Sequence, residues 1–237
     1  MIKEPRRVYW YKLQTTNVKK HLRDQLTYII LAELGLLITA LIVSQRPQGW
    51  MFPQQELVSN VAFSIICLLG IIAGIAPNWC SFSSGSERRG NDGVAGHHPD
   101  CGRFPGHTVR LGDRVFCAGC SGLILGAVLA LLGLISGVYP LGYEAGFWIG
   151  VFFVGLGLAQ HLIDLGSGWV HLLLNTLLVV GDWLMFEAIQ SINLGFLVSA
   201  YFLTVTVFWV FARIRASQWV HVGVCSDCSE PCMLRFE

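Results

Sequence analysis

Charge is what this chain has least of. Asp, Glu, Lys and Arg make up 13 % of its 237 residues, about half the share usual in soluble globular domains. A water-soluble surface needs more charge than that, so an ordinary soluble fold is excluded. The net charge of +1 offers no general attraction to a polyanion, and no nucleic-acid partner is expected. The common catalytic signatures are missing as well: there is no Ser-His-Asp nucleophile elbow, no phosphate-binding glycine loop and no HExxH. The first 25 residues are polar and basic, and no small-residue cleavage site follows the first apolar run. A secretory signal peptide is therefore not expected. Heptads and long-period repeats are also missing.

Long apolar runs take the place of the missing charge. Six stretches are read as membrane spans, at about 26–44, 57–76, 121–138, 145–163, 169–189 and 192–212. At about 1.5 Å per helical residue, each is long enough to cross a hydrocarbon core of about 30 Å. Short links at 164–168 and 190–191 imply tight antiparallel hairpins between the last three. Gly70-x3-Gly74 and Gly133-x3-Gly137 are candidate close-approach motifs. Around the spans lie a basic arm, 1–25, and a Ser/Gly-rich tether with a Cys/His module, 77–120. A Cys/His tail, 213–237, follows the last span. The arm is read as solvated, or as a short helix on an anionic leaflet.

Orientation follows from the basic residues. With six spans, the arm, the 77–120 loop and the segment after 212 carry fifteen of the sixteen Lys and Arg, leaving Arg46 on the other side. The positive-inside rule then places both termini and the loop in the cytoplasm of a plasma (inner) membrane. In that reducing compartment, close-spaced cysteines point to metal or redox chemistry rather than to structural disulfides.

Six of the eight cysteines have metal-like spacing. His98-x2-Cys101 is followed by fifteen residues and then Cys117-x2-Cys120. This is zinc-ribbon spacing with histidine in place of the first cysteine. Between the pairs, TVRLGDRVF reads as two short strands around Gly112-Asp113, which suits a two-residue type II′ turn. Such a hairpin would bring the pairs together, and their nitrogen and thiolate ligands favour tetrahedral Zn2+. His97 and His107 are alternative imidazole ligands. Four ligands would close the site and make it structural; three would leave a position for water. His221, Cys225, Cys228 and Cys232 form a second group, either a separate site or a source of thiolates for a fused one, with Cys80 as a substitute ligand.

Polar residues also interrupt the spans. His161 and Asp164 lie three apart at the end of the fourth, next to Gln160. His171, Asn175 and Asp182 share one face of the fifth within about 40°. If the fourth span runs inward and the fifth outward, these residues meet at the cysteine-bearing side. His161, Asp164 and His171 are the acid–base candidates. The bland reading is a headgroup-level pair and a helix–helix hydrogen bond. Glu33 and Asp182 sit deep in their spans, where a carboxylate costs about 3 kcal/mol on insertion scales. They are candidate midplane ligands or proton carriers.

The stretch CGRFPGHTVRLGDRVFCAGCSGLILGAVLALLG resembles the signature of an uncharacterised family of small prokaryotic integral-membrane proteins. Members pair a Cys-containing loop with a CxxC-[Ser/Thr]-Gly step leading into a glycine-rich span. An Asp, an Asn and a Gly follow within later spans, and Asp164, Asn175 and Gly181 match that pattern. The likeness covers about residues 97–182 and leaves out the C-terminal cysteines. It implies the architecture and no reaction.

The sequence thus predicts an all-α polytopic membrane protein with a zinc-ribbon-like β-hairpin inserted in a cytoplasmic loop. Three functions fit. The first is a zinc-stabilised scaffold docking a cytoplasmic or membrane protein, with Arg110 and Arg114 on the hairpin. The second is a membrane-embedded metalloenzyme acting on a lipid or other membrane substrate. The third is an ion or metal transporter using Glu33 and Asp182.

Overall fold

The computed structural model describes residues 6–47, 49–50, 52–75, 94–95, 105–112, 114–137, 139, 141–162 and 166–226. Side chains are described from residue 23 onward, apart from those at 94, 95, 105, 218 and 220–226. Six helices dominate: α1 (Arg6–Gln45), α2 (Gln55–Ile75), α3 (Ala118–Ser136), α4 (Tyr143–Ala159), α5 (Gly168–Ile192) and α6 (Phe196–Ser226). All six are long and apolar enough to cross a membrane. The observed windows, Arg23–Gln45, Gln55–Ile75, Ala118–Ser136, Tyr143–Leu162, Gly168–Ile192 and Phe196–Ser217, lie within a few residues of the predicted spans.

Two differences matter. The basic arm is not separate from the first span, because α1 is helical from Arg6. The last span starts at Phe196, not 192, because Asn193 takes a left-handed φ of 56° and Gly195 a φ of 92°. These are conformations that Gly and Asn tolerate best. The helix then continues to Ser226 and carries the backbone of His221 and Cys225.

α5 is the axis of the bundle. Its apolar window is 67 % buried, against 39 % for α4, the next most buried. Glycines let its neighbours close on it. A Cβ at Gly126 of α3 would stand 2.8 Å from the Thr176 carbonyl oxygen and from Val179 Cβ. One at Gly150 of α4 would stand 2.5 Å from the Gly181 oxygen. Of the predicted close-approach glycines, Gly74 packs on Ile124 and Gly133 on Trp183, while Gly70 and Gly137 face open space. Leu34, Leu37 and Leu41 of α1 and Val61, Leu68 and Leu69 of α2 are exposed. These faces would be a liability in water and are at home in hydrocarbon.

The helices alternate in direction, which gives the bundle two distinct ends. At one, the 46–54 and 193–195 links meet: Phe196 N–H donates to the Trp50 carbonyl at 2.9 Å. At the other lies a small sheet. Strands β2 (Thr108–Leu111) and β3 (Arg114–Cys117) form an antiparallel hairpin, and the two-residue β1 (Val94–Ala95) adds to β3 in parallel. The Leu111–Arg114 pairing leaves a two-residue loop, and Gly112 has the positive φ, 60°, of a primed turn. At this end, too, Gln25 of α1 donates to the His161 carbonyl at 3.0 Å, and Arg213 of α6 reaches α3. The approach to α1, the hairpin and the end of α6 therefore share one end of the bundle.

Candidate functional site

The hairpin is fastened to the bundle through small residues and an imidazole stack. Gly106 packs on the backbone of Gly166 and Ser167, and the Thr108 carbonyl presses on Gly168 at the start of α5. The turn Pro105–His107 sets the His107 ring on that of His171, with centroids 4.7 Å apart and planes at 23°. Val109 and Val115 are both buried, on opposite faces of the hairpin. Arg110, Leu111 and Arg114 face outward.

β3 runs without a break into α3, and this step places the CxxC motif. Cys117 ends the strand and is the N-cap of α3 (φ −69°, ψ 117°); Cys120 lies in the first turn. Cys117 is buried and Cys120 half-buried, and among the described residues neither forms a disulfide. They stand at the helix N-terminus, where unpaired N–H groups favour negative charge.

A buried polar network lies below them. Gln160 closes α4, and its Nε2 donates to the Gly157 carbonyl at 2.5 Å. That fixes its oxygen toward α5, where Oε1 accepts from Asn175 Nδ2 at 3.2 Å and meets His171 Nδ1 at 3.2 Å. Because Oε1 can only accept, His171 carries its proton on Nδ1. Asn175 Nδ2 also donates to the His171 carbonyl at 2.5 Å, and Asn175 Oδ1 accepts from Arg213 Nε at 2.6 Å. Gln160, His171, Asn175 and Arg213 are each at most 6 % exposed. The His161 ring centres 6.5 Å from that of His171, and among the described residues both its nitrogens are enclosed without a hydrogen-bond partner.

The predicted meeting of His161, His171 and Asn175 is therefore observed, at the end of the bundle that holds Cys117 and Cys120. Gln160 is the hub of the network, and Arg213 and His107 join it. The sequence places Arg213 among the basic residues that follow the last span. It is instead 6 % exposed, because α6 continues past it and turns it toward α3. The signal was its apolar setting, Phe211-Ala212-Arg213-Ile214, which gives a solvated arginine no reason to be there.

Asp164, His98, Cys101, Cys228 and Cys232 lie outside the described residues, and so do the side chains of His221 and Cys225. Among the described residues, no three of His, Cys, Asp and Glu converge to hold a metal ion. The His107 and His161 rings each stack on that of His171. Of the predicted ribbon ligands, the described part supplies Cys117 and Cys120, presented side by side by the strand–helix step.

The two deep carboxyl groups have different neighbours. Asp182 is 6 % exposed and accepts from Thr206 Oγ1 of α6 at 2.8 Å. Glu33 lies between α1 and α4, its Oε2 3.7 Å from where a Gly155 Cβ would stand. Among the described residues no hydrogen bond joins them. Searches against protein-family models, curated proteins and solved structures match nothing.

Proposed function

We propose that this protein is a membrane-embedded, zinc-dependent enzyme acting on the polar end of a lipid or other membrane substrate, at the end of the bundle capped by the hairpin. One observation carries the reading: the His161 imidazole is enclosed beside His171, and among the described residues neither of its nitrogens has a hydrogen-bond partner. Leaving a buried polar group unsatisfied costs about 1–3 kcal/mol, which a purely structural site has no reason to bear. An acid–base group awaiting its substrate accounts for it. His161 and His171 are the assigned pair, with His171 held in one tautomer by Gln160 and Asn175. Asp164, three residues beyond His161, is the third candidate.

Zn2+ is assigned to His98, Cys101, Cys117 and Cys120, with a second site at His221, Cys225, Cys228 and Cys232. The position of Cys117 and Cys120 at a helix N-terminus, which favours thiolate over thiol, fits that role. The bound ion would supply on the order of 10 kcal/mol of folding free energy to the hairpin that caps the site. The positive-inside rule places this end, with both termini, in the cytoplasm.

The test uses purified protein in vesicles made from lipid of the source cells, with lipid species followed by mass spectrometry. Wild type should convert at least one species. His161→Gln and His171→Gln should lose about 100-fold or more of that activity while keeping zinc and melting temperature. No lipid change with wild type, or undiminished turnover in both variants, rejects the reading.

The scaffold reading is favoured by a different observation, the exposed hairpin tip with Arg110, Leu111 (59 % exposed) and Arg114. Its mark would be a partner lost on Arg110→Glu/Arg114→Glu with lipid turnover intact.

A further inference from the structure

We infer that the hairpin end of the bundle holds a binding site for a phosphate group, gripped by Arg213, the first turn of α3 and His161. The inference rests on reading this end as the seat of a membrane substrate, and it names the substrate class: a lipid whose polar end carries phosphate.

Arg213 of α6 is 6 % exposed. A guanidinium so enclosed is costly unless an anion balances it. Among the described residues no carboxylate does so; the ion pairs there are Arg23–Asp24 and Arg46–Glu144. The acceptor Arg213 has among them is the uncharged Asn175 Oδ1, 2.6 Å from Nε. With Nε anchored, the terminal nitrogens are turned to the start of α3. Cζ lies 3.1 Å and Nη1 3.4 Å from where a Cβ on Gly119 would stand, and Nη2 would overlap that atom. Gly119 is the second residue of α3, so the guanidinium rests on the first turn of that helix.

A helix N-terminus is the wrong neighbour for a cation. Its leading N–H groups carry the positive end of the helix dipole, and in α3 the N-cap side chain makes no capping hydrogen bond. Guanidinium and helix start thus meet as like charges. One anion seated against both would satisfy them together, as phosphate does at helix N-termini. His161 supplies a third side. It lies in the turn Gln160–Leu162 at the end of α4, which packs on α6. Among the described residues neither of its enclosed ring nitrogens has a hydrogen-bond partner, and a neutral imidazole has one N–H to give. Asn175 braces the whole: it accepts from Arg213 and donates at 3.2 Å to Gln160, the residue before His161.

The donors decide the kind of anion. They come from α6, from α3 and from the end of α4. A planar carboxylate matches the guanidinium fork alone. A tetrahedral phosphate gives two oxygens to the fork and still has others, in different directions, for the helix start and the imidazole.

Calorimetric titration of the purified full-length protein in a maltoside detergent tests this. The probes are dioctanoyl phosphatidic acid, dioctanoylglycerol and inorganic phosphate. Wild type should bind the phosphatidic acid at least about 10-fold more tightly than dioctanoylglycerol, which has the same chains without phosphate. Arg213→Gln should weaken phosphatidic acid binding by about 10- to 100-fold. Arg213→Lys keeps the charge but loses the fork and should fall between, while Arg215→Gln should match wild type. Gly119→Ala keeps the arginine but fills its seat and should weaken binding too, which covers the case of a misfolded Arg213→Gln. Inorganic phosphate bound as tightly as phosphatidic acid, and lost in Arg213→Gln, would uphold the phosphate site and overturn its assignment to a lipid. Equal affinity for phosphatidic acid and dioctanoylglycerol, or undiminished phosphatidic acid binding in both Arg213→Gln and Gly119→Ala, would overturn the site itself. Binding is read without turnover, so a wild type that binds as expected but converts no lipid refutes the enzyme reading and upholds this one.

Discussion

At the end of the bundle away from the hairpin, Trp50, Phe52 and Phe196 close the structure with ring centroids 5.3–6.4 Å apart. Backbone meets backbone there at Gly49 and Gly195, and Tyr139 ties the α3–α4 link to the Leu184 carbonyl at 2.9 Å. At the hairpin end the closure is made by Gln160, His171, Asn175 and Arg213, and among the described residues His161 has no hydrogen-bond partner. Six apolar helices can be capped without buried charge, as the first end demonstrates. The polar end is therefore not a requirement of the fold. Intramembrane ionisable groups are expensive and mark function by default, and here they gather under the CxxC step.

Substitutions can break this contrast, starting with the framework that both ends share. Gly126→Leu should be the most damaging, at about 3 kcal/mol or more, because its side chain would meet the α5 backbone. Thermal unfolding in detergent would show it, and a melting temperature within a degree or so of wild type would refute the close α3–α5 approach. Asn175→Leu comes next, at about 2 kcal/mol, since it strands Arg213 Nε and leaves Gln160 Oε1 with His171 Nδ1 alone. It should also weaken phosphatidic acid binding, whereas an equally destabilising change at the aromatic end should not. Trp50→Ala should cost about 1 kcal/mol with zinc affinity unchanged; a loss of zinc there would erase the distinction between the ends.

Tyr139→Phe is the mildest, and pH sharpens it. Burial first, then Glu187 and Tyr143, push the Tyr139 phenol from 10.0 up to about 12. The folded state thus holds that proton more tightly than the unfolded chain does. The resulting stabilisation is complete below pH 10 and lost as pH rises through 12. Melting curves of wild type should converge on those of Tyr139→Phe across that window; parallel curves would place the phenol in water.

Much of this was legible in the chain. Apolar length gave the six spans because insertion depends on composition alone, and Gly112-Asp113 gave the hairpin because primed turns demand a positive φ. Helical spacing brought His171 and Asn175 to one face and put both near His161. The tight contacts around α5 were not legible: Gly126 and Gly150 look like any membrane-helix glycine until the opposing backbone is in place. Arg213 was hidden by a rule that is right on average. Counting basic residues assigns a side of the membrane and treats each as solvated, so one turned inward by a helix running past the interface escapes it. Gln160 was seen only as a neighbour of Asp164, because a hub is defined by its partners on another helix.

The account depends most on a metal held at the strand–helix step. Elemental analysis of the purified protein beside Cys117→Ser and Cys120→Ser addresses this directly. The account predicts at least one zinc per wild-type chain, with the ribbon's share lost in both variants; a metal-free wild type, or zinc undiminished in both, would contradict it.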